Sequence, residues 1–197
     1  MCIRDSNNRM YHTVCTLTRS SHDLTHDSQA MHRTLKHDID GDFLWALPDR
    51  KTLVIQHETP VHWPNALPGV IARTHTVDVH TPITGAPIHW ALIANPTKSI
   101  SRGMGKRGKR TPLGPDEWES WVRRKLQDAI NIHDLDAHLM PVARGKRHTM
   151  TTYHRRVMYT GTGTVANQQT LSQLIRDGVG SGKAYGCGLL ITQEVTV

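Results

Sequence analysis

The sequence predicts an α+β protein with two tandem ferredoxin-like domains, over residues 10–85 and 86–197, and a basic cleft. Three observations predict it. Segments of strand and helix character follow one another as strand, helix, strand, strand and a return strand, and that cycle runs twice. A Thr-Pro-Ile-Thr-Gly-Ala-Pro stretch at residues 81–87 breaks the chain between the cycles. A chain of 197 residues has room for two small hydrophobic cores.

In the first cycle, residues 11–18 alternate weakly and run into Ser20-Ser21-His22-Asp23, which reads as a strand followed by a loop. A helix comes next. Asp27 or Ser28 can cap it, and Ala30, Met31, Thr34 and Leu35 fall on one side when the chain turns about 100° per residue. Residues 43–47 and 53–57 are apolar bursts around Pro48-Asp49-Arg50, the pattern of a hairpin. After a proline-rich connection, residues 70–79 alternate and are rich in β-branched side chains, so they read as the return strand.

The second cycle begins with a strand at residues 88–93. A basic loop follows, with Arg102, Lys106, Arg107, Lys109 and Arg110 spaced by Gly103, Gly105 and Gly108; it should stay mobile until an anion holds it. Pro115-Asp116-Glu117 opens an amphipathic helix with acids in its first turn. Trp118, Trp121, Val122, Leu126, Ala129 and Ile130 recur at helical spacing, so the two tryptophans belong to a core rather than to a stacking platform. Residues 138–143 and 149–165 read as strands, 168–175 as a short helix and 189–192 as the last strand.

Twenty-four Lys and Arg against seventeen Asp and Glu leave a formal charge of +7, which favours a polyanionic partner, nucleic acid before a membrane surface. No apolar run has the length of a membrane-spanning helix, and the start lacks a basic-then-apolar signal. A soluble, cytoplasmic protein is therefore expected. Cysteines at 2, 15 and 187 are too few and too scattered for a disulfide framework or a thiolate zinc site. His22 and His26 have the i, i+4 spacing of paired metal ligands, but no third ligand is placed by the sequence, and neither metal nor cofactor is expected. Met1-Cys2-Ile3-Arg4-Asp5-Ser6 resembles translated sequencing-adapter sequence, so residues 1–9 are expected to be a non-native extension ahead of a start at Met10.

A glycine-dense run closes the chain, with Gly178, Gly180, Gly182, Gly186 and Gly188 around Lys183. Glycine loses the most backbone entropy on ordering, so such a run needs a positional reason. Two reasons are open: close approach of the main chain to phosphate, with Lys183 as the cation, or a tight turn into the last strand. A nucleoside-triphosphate loop is excluded, because Gly178 and Gly182 are one residue too close and Ala184 cannot ligate Mg²⁺.

On the first helix His32 stands at the edge of the apolar stripe with Lys36 one turn on. For a basic chain without a nucleotide or metal signature, the fitting chemistry is RNA cleavage by the RNA's own 2′-hydroxyl. That reaction needs a base, an acid and cations around phosphorus, and an imidazole can serve either proton role. Arg144, Lys146, Arg147, Arg155 and Arg156 lie near the ends of two adjacent predicted strands, where a hairpin would present a cationic edge to an RNA duplex.

Ala30-Met31-His32-Arg33-Thr34-Leu35, Phe43-Leu44-Trp45-Ala46-Leu47, Ala94-Asn95-Pro96-Thr97-Lys98, Trp121-Val122-Arg123-Arg124-Lys125-Leu126 and the closing glycine run resemble, in that order, the CasE family. These are the CRISPR RNA-processing endoribonucleases of the type I-E Cascade complex. The resemblance covers nearly everything from Met10 onward. It implies two ferredoxin-like domains, metal-free cutting of the repeat stem-loop of precursor CRISPR RNA, retention of the mature product and assembly with other Cascade subunits. It further implies a catalytic role for His32, with Arg33 and Lys36 as cations near the scissile phosphate. Lys98, Arg102, Lys106, Arg107 and Lys183 join the hairpin cations as expected RNA contacts. Many members carry a tyrosine three residues before the histidine; this chain has Gln29, which has no phenolic proton. The rival reading is a non-catalytic subunit that binds the RNA hairpin.

Overall fold

The computed structural model describes residues 9–63, 65–101, 103–105, 108–147 and 150–195. In the first cycle β1 (Tyr11–Leu17), α1 (His22–His26), α2 (Ser28–Asp38), β2 (Phe43–Ala46), β3 (Thr52–His57) and β4 (Ile71–Asp78) follow in order. The strands form an antiparallel sheet ordered β2-β3-β1-β4. Alternation gives that sheet two faces. Cys15, Leu17, Leu53 and Ile55 bury on one, against Met31 and Leu35 of α2 and Ile39 just beyond it. Asp27 caps α2 as predicted, its Oδ1 accepting the N–H groups of Gln29 and Ala30, each at 3.0 Å. A loop was expected at Ser20–Asp23; α1 begins there instead, a single polar turn too short to show periodicity.

The second cycle runs β5 (Pro87–Ala94), β6 (Thr97–Ile100), β7 (Lys109–Pro112), α3 (Pro115–Leu126), β8 (Ile130–Arg147), β9 (Met150–Val165), α4 (Gln168–Asp177) and β10 (Leu190–Glu194). Its main sheet is ordered β10-β5-β9-β8. Counting the four strands of each cycle along the chain, both sheets read fourth, first, third, second, the ferredoxin-like order. Trp118 and Trp121 bury in the core beneath α3, as their spacing predicts.

Two elements differ from expectation. β8 starts at Ile130 rather than near 138, and its alternation is hidden by exposed Asn131, His133, Asp134 and Asp136 and by register shifts at Ile132/Asp134 and Met140/Ala143. The predicted basic loop is partly ordered as the β6–β7 hairpin, while Arg102, Lys106 and Arg107 lie outside the described residues. So does the expected extension at residues 1–9, apart from Arg9.

The two sheets meet on the faces turned away from their main helices, where Leu44, Ala46 and Val54 pack against Ile93 and Leu189. A buried polar link joins them as well. Gln56 Nε2 donates to the Ile175 carbonyl at the end of α4 (2.7 Å), and His12 Nε2 donates to Gln56 Oε1 (3.0 Å). No described helix is long and apolar enough to cross a membrane.

Candidate active site

His32 is held by α2, half-buried, with its ring 5.3 Å from that of Phe43 at the start of β2. Its Nδ1 is buried without a hydrogen-bond partner among the described residues. Burial first, and the Lys36 charge second, hold this imidazole below the ordinary histidine range. It is therefore a neutral base at neutral pH. Lys36 Nζ donates to the Gly41 carbonyl at 3.0 Å, and Arg33 is exposed about 100° round the helix from His32. Phe43 also lines a cleft of about 650 Å³ between the two sheets, together with Asp42, Glu58, Arg176, Asp177 and Lys183. Its charges are mixed. Asp42, Glu58 and Asp177 share its lining with Arg176 and Lys183.

The glycine run wraps over β2 of the first sheet. Gly186 stands at φ +73°, and a β-carbon there would lie 2.9 Å from the buried Trp45 ring; at Gly178, φ +72°, it would lie 2.8 Å from Leu44. Within the loop Val179 donates to Gly188, and Tyr185 and Cys187 to Gly182, while Gly188 donates to Ile93 of β5. Gly178 and Gly186 thus serve close contact with the first sheet. Lys183 is exposed, with its ammonium donating to the Asp177 carbonyl.

The β8–β9 hairpin separates its cations by face. Arg144 and Lys146 are exposed on one, opposite Tyr153 and Thr151, with the Arg144 guanidinium 6.0 Å from the Tyr153 ring. The other face carries Ala143, Gly145, Thr152, His154 and Arg156. Arg156 therefore departs from the expected cationic edge: it is 6% exposed and donates through Nε to the Pro141 carbonyl at 3.0 Å. Arg155 is half-buried and donates to the Leu113 carbonyl. Lys98 pairs with Glu117 at 2.9 Å. The Arg147 side chain lies outside the described residues.

Four residues that sequence reasoning passed over meet between α2, the hairpin and the glycine run. The Tyr185 ring stacks 3.8 Å from that of His154, and Asn95 Nδ2 donates to His154 Nδ1 at 3.1 Å. Thr152 Oγ1 lies 3.1 Å from the Tyr185 phenol. Tyr185 and Asn95 sat inside two of the distinctive motifs; His154 and Thr152 gave no signal beyond strand alternation. At His22 and His26 the two Nε2 atoms are 3.2 Å apart on exposed α1, and no group of three or more His, Cys, Asp or Glu suited to a metal occurs among the described residues.

A family model described as CRISPR associated protein matches residues 10–193. The chain is 27% identical over 192 residues to the CRISPR system Cascade subunit CasE of Escherichia coli strain K12, covering 83% of this chain and 90% of that protein. A structure of the CRISPR endoribonuclease Cse3 bound to a 19-nucleotide RNA superposes with a TM-score of 0.79 at 23% identity, over 94% of this chain and 98% of that one. Thermus thermophilus Cse3, bound to an RNA representing a pre-cleavage complex, gives 0.79 at 22% identity over 94% and 99%. The CRISPR-associated protein Cas6e of Escherichia coli K-12 gives 0.72 at 23% over 94% and 100%.

Proposed function

The chain belongs to the CRISPR-associated protein family, and on that premise we propose that it is an endoribonuclease that cuts precursor CRISPR RNA at the repeat stem-loop and keeps the product for a Cascade complex. The single observation that carries this reading is His32: a neutral imidazole with an uncommitted nitrogen, beside a lysine. Support comes also from the curated CasE relative, which is a Cascade subunit.

In the reaction, His32 accepts the proton of the 2′-hydroxyl as that oxygen attacks the neighbouring phosphorus, and the P–O5′ bond breaks to leave a 2′,3′-cyclic phosphate that can open to a 3′-phosphate. Lys36 and Arg33 offset the charge that grows on the phosphoryl oxygens. No metal is required. Arg144 and Lys146, with Tyr153 across the hairpin from Arg144, face the duplex and bind it through phosphates.

His32→Ala should bind the stem-loop of the CRISPR repeat encoded nearest the gene with wild-type affinity and cut it at least about 10²-fold more slowly. EDTA should leave the wild-type rate unchanged, and a 2′-deoxy sugar upstream of the scissile phosphate should abolish cutting. Equal losses of binding and cleavage in His32→Ala would make it a binding residue; metal-dependent cutting of the deoxy substrate would remove the mechanism. Gln29 in place of a proton-bearing side chain favours a second reading, a non-catalytic subunit that binds the hairpin, and tight binding without turnover would establish it.

A further inference from the structure

Cleavage by the 2′-hydroxyl needs a proton donor for the departing 5′-oxygen as well as a base. On α2 the residue one turn before His32 on the same side is Gln29, whose amide is no acid. A phenol from the far end of the chain is seated against it. Gly145 of β8 lacks a β-carbon, and an ideal one there would lie 2.6 Å from Tyr185 Cε1 and 3.2 Å from Gln29 Cβ. Tyr185 and Gln29 therefore both stand against Gly145, and Gln29 is roughly 5 Å along the helix from His32.

The placement of Tyr185 is built rather than incidental. One side of its ring stacks on His154, which Asn95 pins, and Asn95 is itself only 5% exposed and bridged by its backbone to Ser181 of the glycine run. Thr152 Oγ1 lies 3.1 Å from the phenolic oxygen and 3.2 Å from the Gly145 carbonyl, and its single proton serves one of the two at a time. Tyr185 is half-buried, so part of it faces solvent. Gln29 Oε1, on a residue beside the same Gly145, and Asn95 Oδ1, on the residue that pins His154, are buried polar atoms without a hydrogen-bond partner among the described residues, as is His32 Nδ1 one turn along α2 from Gln29. Such atoms are costly to bury, and they mark places arranged to receive polar groups of a ligand.

We propose that Tyr185 donates the proton to the leaving 5′-oxygen, opposite His32 as base; the inference rests on the cleavage reading above. The phenol supplies an O–H proton, and the Thr152 hydroxyl turns toward the phenolate that forms and stabilises it. As the 2′-oxygen bonds to phosphorus its proton goes to His32, the P–O5′ bond breaks, and the phenolic proton goes to the 5′-oxygen. One proton returned from imidazolium to phenolate restores both side chains.

The test uses Tyr185→Phe, which keeps the ring against His154 and Gly145, in the full-length protein. Two repeat stem-loops are compared, one natural and one with sulfur replacing the scissile 5′-oxygen, because a thiolate leaves without a proton. Tyr185→Phe should cut the natural RNA about 10²-fold more slowly in single turnover, bind it with unchanged affinity, and cut the sulfur substrate at the wild-type rate. His32→Ala should be slow on both. Wild-type cutting of the natural RNA by Tyr185→Phe, or an equal defect on both substrates, overturns the assignment. A wild-type protein that cuts neither substrate removes the cleavage reading itself, and this proposal with it.

Discussion

His32 draws its chemical character from two causes of different size. Burial against Phe43 and the rest of the α2 junction comes first and the Lys36 charge second, and both disfavour the imidazolium. The proposed mechanism needs the base form, so on that reading a lowered pKa keeps cleavage going to lower pH. Lys36→Met removes the smaller cause. The acid limb of its single-turnover rate profile, measured between about pH 5 and 8, should then move to higher pH, and a limb that stays or moves lower would show that Lys36 does not act on His32 through charge. The same residue scale explains why Arg156 was misplaced from sequence: on β9 it follows Arg155, strand alternation puts the two on opposite faces, and packing decides that Arg156 is the one turned inward to Pro141.

Among the elements, the glycine run carries the junction between the domains. Gly186→Ala would place a methyl against a fully buried tryptophan at a left-handed φ, and it should lower stability by about 2–4 kcal/mol in urea unfolding. Gly85→Ala has a similar φ of +87° but meets nothing within 4 Å, so it should cost only about 1–2 kcal/mol. Equal costs would show that contact with Trp45 is unimportant. The hairpin of β8 and β9 has a comparable division of labour: its inner face supplies the slot for Tyr185, and its outer face presents Arg144 and Lys146.

Across the whole molecule, His12, His32, His57 and His154 are all held below the ordinary range, burial being the largest cause for each. His12 and His57 lie in the first sheet, His57 bonded to Thr13 and the Thr59 carbonyl and His12 in the link to α4. The folded chain therefore refuses protons that the unfolded chain accepts. Stability from these groups is complete above about pH 6.5 and drains as the pH falls toward the folded pKa values. The urea midpoint should be lower at pH 5.5 than at pH 7.5, and an unchanged or higher midpoint would show that these histidines are not buried neutral.

Local pattern was enough for most of the architecture. The helical stripe of Trp118, Trp121 and Leu126, the cap at Asp27 and the break at residues 81–87 are short-range signals, and they determined two α+β cycles, a basic chain and His32 as the candidate base. Tertiary structure decided what short-range signals do not contain. Only packing shows that Gly186 must admit Trp45, that Arg156 turns inward, and that Tyr185 reaches Gln29 across Gly145. Gly186 and Trp45, like Tyr185 and Gln29, lie far apart along the chain, and these contacts exist only once two sheets, docked back to back, have brought the chain's end against β2 and α2.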